Sequence, residues 1–277
     1  MKPILLALLL LMTGACTNKK ETANEQAAKT GIEVRDFPYR DGALLCQGFV
    51  ALPDSKEPAP AVLIVPEWWG IGDYEKSRAR QLAELGFVAF VVDMYGEGRR
   101  LQTPDSAGKY AAVFYSDVDL AKNRFLAAYQ QVKSLAQTDT NRIGAIGYCF
   151  GGTQVLNMAR MGLPLQAVVS FHGNLRCAPI QQPIAKKAAV LVCNGAADGF
   201  VSEEDILQFK QEMQAADFAF TFTNYADAKH AFTNPEADQY AQKFNMDIAY
   251  NPLADSASWV EMKNFLEKNL MQTQGAL

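Results

Sequence analysis

Short apolar runs recur along the chain, with amphipathic segments between them. Continuous apolar runs of this length are typical of strands buried on both faces of a parallel sheet. They predict strands at 61–65, 87–92, 142–146, 166–171, 188–193 and 218–225. Two more strands are predicted at 32–39 and 44–52, because Arg40-Asp41-Gly42 between them is a hairpin signal.

The segments between these runs carry helix signals. Helices are predicted at 74–85, 104–135, 153–161, 202–216, 235–244 and 256–270, with a break in the second near Tyr115-Ser116. Ser202 and Asp205 are spaced as an N-cap residue and its acidic partner. A hairpin followed by alternating strands and helices predicts an α/β fold, with a doubly wound, mostly parallel sheet and helices on both faces.

Composition narrows the class of protein. The 277 residues are 49% hydrophobic and 20% charged, with a formal net charge of −4. This composition fits a globular protein with a sizeable core, and residues 31–277 are assigned to one domain. A mildly acidic chain without a long Lys/Arg cluster gives no support for nucleic-acid binding.

The first residues are interpreted as a targeting signal. Met1-Lys2 is basic, and the apolar run at 4–12 is too short to span a bilayer. The small residues Thr13-Gly14-Ala15 before Cys16 resemble a bacterial lipoprotein signal. We expect residues 1–15 to be a signal peptide.

The same pattern implies that Cys16 is lipidated and that residues 16–30 form a flexible tether to a membrane of the cell envelope. Ordinary secretory cleavage, which leaves Cys16 unmodified, is the alternative. Both readings place the protein outside the cytoplasm. An oxidising compartment permits a disulfide between Cys177 and Cys193, and the alternative is that Cys46 and Cys193 are buried and reduced.

The sequence Gly147-Tyr148-Cys149-Phe150-Gly151-Gly152 has the layout of a nucleophile elbow between a strand and a helix. Glycines flank the tip because the strand and helix pass too close there for a Cβ atom. The tip residue is Cys149, and a thiolate is a strong nucleophile. A tight glycine-rich turn holding a structural cysteine is the alternative.

A nucleophilic cysteine needs a base and a group that orients the base. The chain has two histidines. In α/β-hydrolases the order is nucleophile, acid, histidine, which selects Asp198 and His230, each just beyond a predicted strand. His172 precedes the acid and is assigned to the pocket or to a structural role. The alternatives are a turn role for Asp198 and a surface-loop role for His230.

Several motifs together resemble the dienelactone hydrolase family over roughly residues 31–272. They are the elbow, the Asp198 loop, Pro66-Glu67-Trp68-Trp69-Gly70, Asp93-Met94-Tyr95 and Lys229-His230-Ala231-Phe232. The resemblance implies an α/β-hydrolase fold and a catalytic triad of Cys149, Asp198 and His230. It also implies that the carboxylate of Glu67 hydrogen-bonds the resting thiol and helps to deprotonate it when substrate enters.

The oxyanion hole is expected to use two backbone N–H groups. The residue after the nucleophile, Phe150, supplies one, and the loop after the third strand supplies the other. By family resemblance the second donor is Trp68. Trp69, Tyr95 and His172 are assigned to the pocket.

The sequence departs from the family at two positions. Family members that take anionic lactones carry arginines where this chain has Glu97 and Asn234. Arg99 and Arg100 lie near in sequence with the wrong spacing, and we interpret them as a solvated basic patch. The hypothesis is therefore a neutral or differently charged ester, lactone or thioester substrate.

These observations predict a cysteine-dependent hydrolase of carboxylic esters or lactones that forms an acyl-enzyme and needs no cofactor. A non-catalytic envelope lipoprotein that uses the fold for ligand binding or scaffolding is the alternative. A thiol–disulfide redox protein is disfavoured because no Cys-x-x-Cys pair is present. Two histidines in separate loops give little support for a zinc site, and no metal is predicted.

Overall fold

A computed structural model describes residues 31–271 of the protein. One eight-stranded sheet runs through this part of the chain in the order β1-β2-β4-β3-β5-β6-β7-β8. β1 pairs antiparallel with β2 and β2 with β4, and the other neighbours are parallel. The strands are β1 (Glu33–Asp41), β2 (Leu44–Leu52), β3 (Ala59–Val65), β4 (Val88–Val91), β5 (Thr138–Tyr148), β6 (Ala167–Phe171), β7 (Ala189–Gly195) and β8 (Phe220–Tyr225).

Helices cover both faces of this sheet, so the predicted fold class is confirmed. They are α1 (Asp73–Glu84), α2 (Pro104–Ser116), α3 (Val118–Ser134), α4 (Phe150–Arg160), α5 (Glu203–Ala215), α6 (Ala237–Phe244) and α7 (Pro252–Leu266), which continues as a π-helix (Glu267–Met271). Of these, α2 to α5 pack on one face, and α1 and α7 pack on the other.

The apolar run of β3 shows why the central strands lack a polar face. All seven of its residues are buried. Leu63 and Val65 belong to the hydrophobic cluster on one face, while Val62 and Ile64 belong to the cluster on the other. Successive side chains point to opposite faces, so a strand covered on both sides must be apolar throughout.

Two predicted helices differ from the structure in an instructive way. The break in the long helical region falls at Asp117, whose side chain accepts a hydrogen bond from the Leu120 N–H at 2.9 Å and so begins α3. The last helix begins at Pro252, four residues before the predicted start, because Asn251 caps it. Its first apolar residue, Leu253, is 82% exposed and so gives no amphipathic signal.

The predicted signal peptide, the tether and Cys16 lie outside the described residues. Within residues 31–271, no helix is both long and apolar enough to cross a bilayer. Cys177 and Cys193 are free thiols. The two pack into hydrophobic clusters on opposite faces of the sheet, so the structure does not contain the disulfide that the sequence left open.

Candidate active site

The turn between β5 and α4 holds Cys149 in a strained backbone conformation, with φ 51° and ψ −115°. A Cβ atom on Gly147 would lie 2.1 Å from the carbonyl oxygen of Gly151, and one on Gly151 would lie 2.1 Å from the carbonyl oxygen of Val65. Only glycine fits at these two positions. The turn therefore presents the Cys149 side chain beyond the carboxyl edge of the sheet, as an elbow does.

Three side chains from separate strand ends meet at this edge. His230 Nε2 lies 3.1 Å from Cys149 Sγ, and His230 Nδ1 lies 2.9 Å from Asp198 Oδ2. The other oxygen of Asp198 accepts a hydrogen bond from the Phe200 N–H at 2.9 Å. This second bond fixes the carboxylate, which in turn fixes the imidazole against the sulfur.

The charge of the His230 imidazole is set by its partners. Burial opposes its protonation, but the charges of Cys149 and Asp198 outweigh that effect and raise the pKa of His230 well above its usual value. An imidazolium is the form that stabilises a neighbouring thiolate. The arrangement is therefore suited to a cysteine that reacts as a thiolate–imidazolium pair.

His172, predicted to line the pocket or to be structural, does not line the cavity. It is fully buried, and its Nδ1 accepts a hydrogen bond from the Cys149 N–H at 3.1 Å. Burial and then the nearby His230 lower the pKa of His172 well below its usual value, so the ring is neutral. Its Nε2–H therefore donates to Thr233 Oγ1 at 2.7 Å, and Tyr74 Oη lies 2.6 Å from the same hydroxyl oxygen. Sequence reasoning missed this network.

Of the two predicted oxyanion donors, Phe150 directly follows Cys149, and Trp68 lines the same cavity as the nucleophile. Phe150 is the first residue of α4, so its N–H has no acceptor within the helix. Trp68 lies in a turn closed by a hydrogen bond from the Gly70 N–H to the Glu67 carbonyl oxygen at 3.1 Å. Tyr95 was predicted to line the pocket, but it lies behind the wall and donates to the Trp68 carbonyl oxygen at 3.0 Å.

Glu67 differs most from what the family resemblance implies. It lines the cavity beside Cys149, but it makes no hydrogen bond to the thiol. Its Oε2 accepts a hydrogen bond from Asn234 Nδ2 at 2.8 Å. Burial, reinforced by the charge of Glu75, raises the pKa of Glu67 to about 8 despite that bond. The expectation of a thiol-bound carboxylate is therefore wrong for this structure.

A cavity of about 270 Å³ opens in front of the nucleophile. Apart from tyrosines, its ionisable side chains are Glu67, Cys149 and His230, and most of the wall is apolar. The lining residues are Glu67, Trp68, Trp69, Gly108, Ala111, Ala112, Tyr115, Cys149, Asn174, Phe200, His230, Ala231, Asn234, Ala237, Tyr240, Met246 and Ile248. The predicted pocket residue Trp69 is among them, and it stacks on Tyr240 with 4.9 Å between ring centroids.

Among residues 31–271, no arginine lines this cavity. Arg99 pairs with Glu97, and Arg100 lies 3.8 Å from Glu236; both arginine side chains are more than a third exposed. Neither replaces an arginine clamp. Among the described residues, the only cation of the lining is therefore the His230 imidazolium, which is already paired with Asp198 and Cys149.

A single chain segment builds much of the wall. Residues 231–248 begin directly after His230 and end at Ile248, which bridges back to His230. The Ala249 N–H donates to the His230 carbonyl oxygen at 3.2 Å and ties the ends together. Sequence reasoning found the start of this segment and missed Met246 and Ile248, whose spacing carries no signal of a pocket.

The Dienelactone hydrolase family model matches residues 46–270. The chain belongs to the dienelactone hydrolase family. A putative carboxymethylenebutenolidase of Aquifex aeolicus is 26% identical over 247 residues, which cover 87% of this chain and 96% of that protein. A probable 2-oxo-3-(5-oxofuran-2-ylidene)propanoate lactonase of a Bradyrhizobium species is 26% identical over 220 residues, 76% of this chain and 84% of that protein.

Solved structures agree with this assignment. The crystal structure of P91, a dienelactone hydrolase-like promiscuous phosphotriesterase from metagenomic libraries, superposes with a TM-score of 0.79 at 32% identity. The match covers 86% of this chain and 98% of P91. The predicted family is thus confirmed, and this dienelactone hydrolase family member is a hydrolase of esters or lactones.

Proposed function

We propose that the protein is a cysteine-dependent hydrolase of neutral carboxylic esters and lactones. The observation that carries the proposal is the continuous contact from Asp198 through His230 to the sulfur of Cys149 at the base of an apolar cavity. Hydrolysis of esters and lactones follows from the family. The cysteine mechanism and the neutral substrate are the proposed part.

In the first half-reaction the Cys149 sulfur attacks the carbonyl carbon of the substrate. The C–S bond forms and the carbonyl electron pair moves to oxygen, where the N–H groups of Phe150 and Trp68 stabilise the oxyanion. When the tetrahedral intermediate collapses, the C–O bond to the leaving group breaks. The His230 imidazolium gives its proton to the departing oxygen, and an acyl-enzyme remains.

In the second half-reaction His230 takes a proton from water, and the resulting hydroxide attacks the thioester carbonyl. The C–S bond then breaks and the carboxylic acid product leaves. Asp198 holds the imidazole with Nε2 towards the reacting atoms in both steps and stabilises its charged form. A lactone differs only in that its leaving oxygen stays tethered to the acyl group.

Preference for a neutral substrate follows from the wall of the cavity. A carboxylate buried there would lose its hydration, and no Lys or Arg in the described part of the chain lines the cavity to offset that cost. A neutral ester meets mainly Trp, Tyr, Ala, Met and Ile side chains. The contrast between neutral and anionic substrates therefore tests the proposal directly.

The test compares the protein with Cys149→Ala and Cys149→Ser on a 4-nitrophenyl ester, a neutral lactone and an anionic dienelactone. A neutral phosphotriester joins the panel because the relative P91 is a promiscuous phosphotriesterase. We expect turnover of the neutral substrates, loss of it in Cys149→Ala, and an acyl adduct on Cys149 detected by mass spectrometry. Cys177→Ala, which removes a thiol outside the cavity, is the control.

Two results would contradict the proposal. Full activity in Cys149→Ala would exclude the cysteine mechanism. A clear preference for the anionic dienelactone would exclude the neutral substrate class while leaving the cysteine mechanism intact.

We also propose that the protein is exported and anchored in the cell envelope through a lipid on Cys16. Support comes from the basic start, the short apolar run and the small residues before this cysteine. Labelling of producing cells with radioactive palmitate should mark the protein, and Cys16→Ser should abolish the label while Cys149→Ala keeps it. An unlabelled protein would refute the lipid anchor.

A further inference from the structure

One oxygen of Glu67 is buried in the cavity wall without a partner. The residue is 3% exposed, and its Oε1 has no hydrogen-bond partner within residues 31–271. A buried polar atom without a partner is costly unless a ligand or water satisfies it. Because the side chain lines the cavity beside Cys149, the missing partner belongs in the space that substrate occupies.

Asn234 determines which oxygen of Glu67 is free. The Asn234 Oδ1 accepts a hydrogen bond from the Glu236 N–H at 2.9 Å, so its amide NH₂ must point the other way. That NH₂ donates to Glu67 Oε2 at 2.8 Å. The Asn234 side chain is 2% exposed and cannot easily turn over. An oxygen that already accepts this bond is a poor site for a proton, which leaves Oε1 as the protonation site.

The groups around Glu67 favour its uncharged form. Glu75, on α1, accepts a hydrogen bond from the Glu67 N–H at 3.3 Å, and Glu236 adds a second negative charge. The hydrogen bond from Asn234 and, after it, the nearby His230 favour ionisation of Glu67, while Arg100 acts on Glu75. Burial and Glu75 together prevail and raise the pKa of Glu67 to about 8.

We propose that Glu67 is a neutral carboxylic acid held by Asn234, and that its Oε1–H donates a hydrogen bond to an acceptor oxygen in the acyl group of the substrate. Glu67 and Trp68, the proposed oxyanion donor, line the same cavity as Cys149, which brings the free oxygen of Glu67 close to the space where the substrate reacts. The inference rests on the proposed function and extends it. The preferred acyl group carries an ether or keto oxygen near its carbonyl and no negative charge.

This role differs from a carboxylate that deprotonates the nucleophile. His230 already contacts the sulfur at 3.1 Å, so the thiol has its base. A protonated Glu67 does not take part in proton transfer and instead selects among substrates. Its removal should therefore change the ratio between two substrates more than the rate of the simpler one.

The test uses two esters of nearly equal shape. 4-Nitrophenyl methoxyacetate differs from 4-nitrophenyl butanoate by an ether oxygen in place of one methylene. For each protein, kcat/KM for the methoxyacetate is divided by kcat/KM for the butanoate. This ratio is then divided by the ratio of the rates at which hydroxide alone hydrolyses the two esters, which removes their intrinsic difference in reactivity. We expect the corrected ratio of the wild type to favour the methoxyacetate, and Glu67→Met to lower it about tenfold.

Glu67→Gln is the matched control. Its amide oxygen accepts the bond from Asn234 and its NH₂ faces the cavity, so it should retain the corrected ratio. Asn234→Leu removes the bond that orients Glu67 and should lower the ratio as Glu67→Met does. An unchanged ratio in Glu67→Met would overturn the inference.

Infrared spectroscopy gives a readout that does not depend on activity. A wild-type-minus-Glu67→Gln difference spectrum should show the C=O stretch of a protonated carboxyl near neutral pH, and this band should shift when a non-hydrolysable ether analogue of the methoxyacetate binds. Absence of the band would overturn the inference even if both esters are hydrolysed. Loss of both activities in Cys149→Ala would show that the proposed function still holds in that case.

Discussion

Asp198→Asn should inactivate the protein by reversing one hydrogen bond. The Asp198 carboxylate accepts from the Phe200 N–H on one oxygen and faces His230 Nδ1 with the other. In the variant, the Phe200 N–H requires the amide oxygen, so the amide NH₂ must face Nδ1. Nδ1 then has to be an acceptor, which places the ring proton on Nε2, the atom that contacts the Cys149 sulfur. An imidazole in that tautomer cannot accept the thiol proton.

The size of the effect follows from what is lost. The Asp198 side chain is fully buried, so its hydrogen bond to an imidazolium contributes about 1.5 to 3 kcal/mol. The wrong tautomer adds to that loss, and the same change in a serine-protease triad lowers kcat about 10⁴-fold. We expect kcat for a 4-nitrophenyl ester to fall about 10³- to 10⁴-fold while KM changes little.

The assay is steady-state hydrolysis with Asp205→Asn as the matched control. Asp205 also accepts backbone and side-chain hydrogen bonds, from Ser202 and Arg176, but it caps α5 away from the cavity. Its substitution should lower the free energy of unfolding by about 1 kcal/mol and leave kcat unchanged. A kcat in Asp198→Asn within tenfold of the wild type would refute the orientation argument.

Three further predictions concern the elbow, the base and the buried acid. Gly147→Ala should lower the free energy of unfolding by more than about 3 kcal/mol, because its Cβ would lie 2.1 Å from a backbone oxygen. Gly42→Ala, whose Cβ would have no atom within 4 Å, should lower it by about 1 kcal/mol. Equal losses for the two variants in urea denaturation would contradict this prediction. His230→Ala should slow alkylation of Cys149 by iodoacetamide at neutral pH at least about tenfold, and an unchanged rate would count against the ion pair. Because the folded protein raises the pKa of Glu67 from 4.5 to about 8, the stability that its neutral form provides is present below pH 4.5 and is lost as the pH rises to about 8. Between pH 4.5 and about 8, the free energy of unfolding of Glu67→Gln should therefore rise relative to that of the wild type, by at most about 5 kcal/mol. If the urea midpoints of the two proteins change in parallel over this pH range, the raised pKa of Glu67 is disproved.

The sheet was predictable because burial on both faces leaves a clear trace in the sequence. The run in β3 has no polar residue, so neither its position nor its environment was ambiguous. Helix ends were harder, because a capping residue such as Asn251 acts locally and the exposed Leu253 breaks the apolar periodicity. The expected hairpin and the alternation of strands and helices then left few possible topologies.

The site was predictable only as far as chain order reaches. Asp198 and His230 follow strands whose carboxyl ends share one edge of the sheet, and the structure brings both to Cys149. Position at a strand end does not tell which way a side chain turns. His172 and Tyr95 share that edge but point behind the cavity wall. The partner of Glu67 was equally hidden, because Asn234 lies far from it in sequence and only packing joins them.

The closure of residues 231–248 onto His230 separates the residues that select the substrate from those that transfer protons. The segment leaves and rejoins the body of the protein at one point, since Ile248 bridges back to the residue that precedes the excursion. A redesigned stretch within residues 237–247, which keeps Thr233 and Asn234 with their hydrogen bonds, can thus alter which molecules are admitted while Cys149, His230 and Asp198 stay where they are. Substitutions at Ala237, Tyr240 and Met246, which line the cavity within this stretch, can therefore change the substrate range without a change in the underlying sheet.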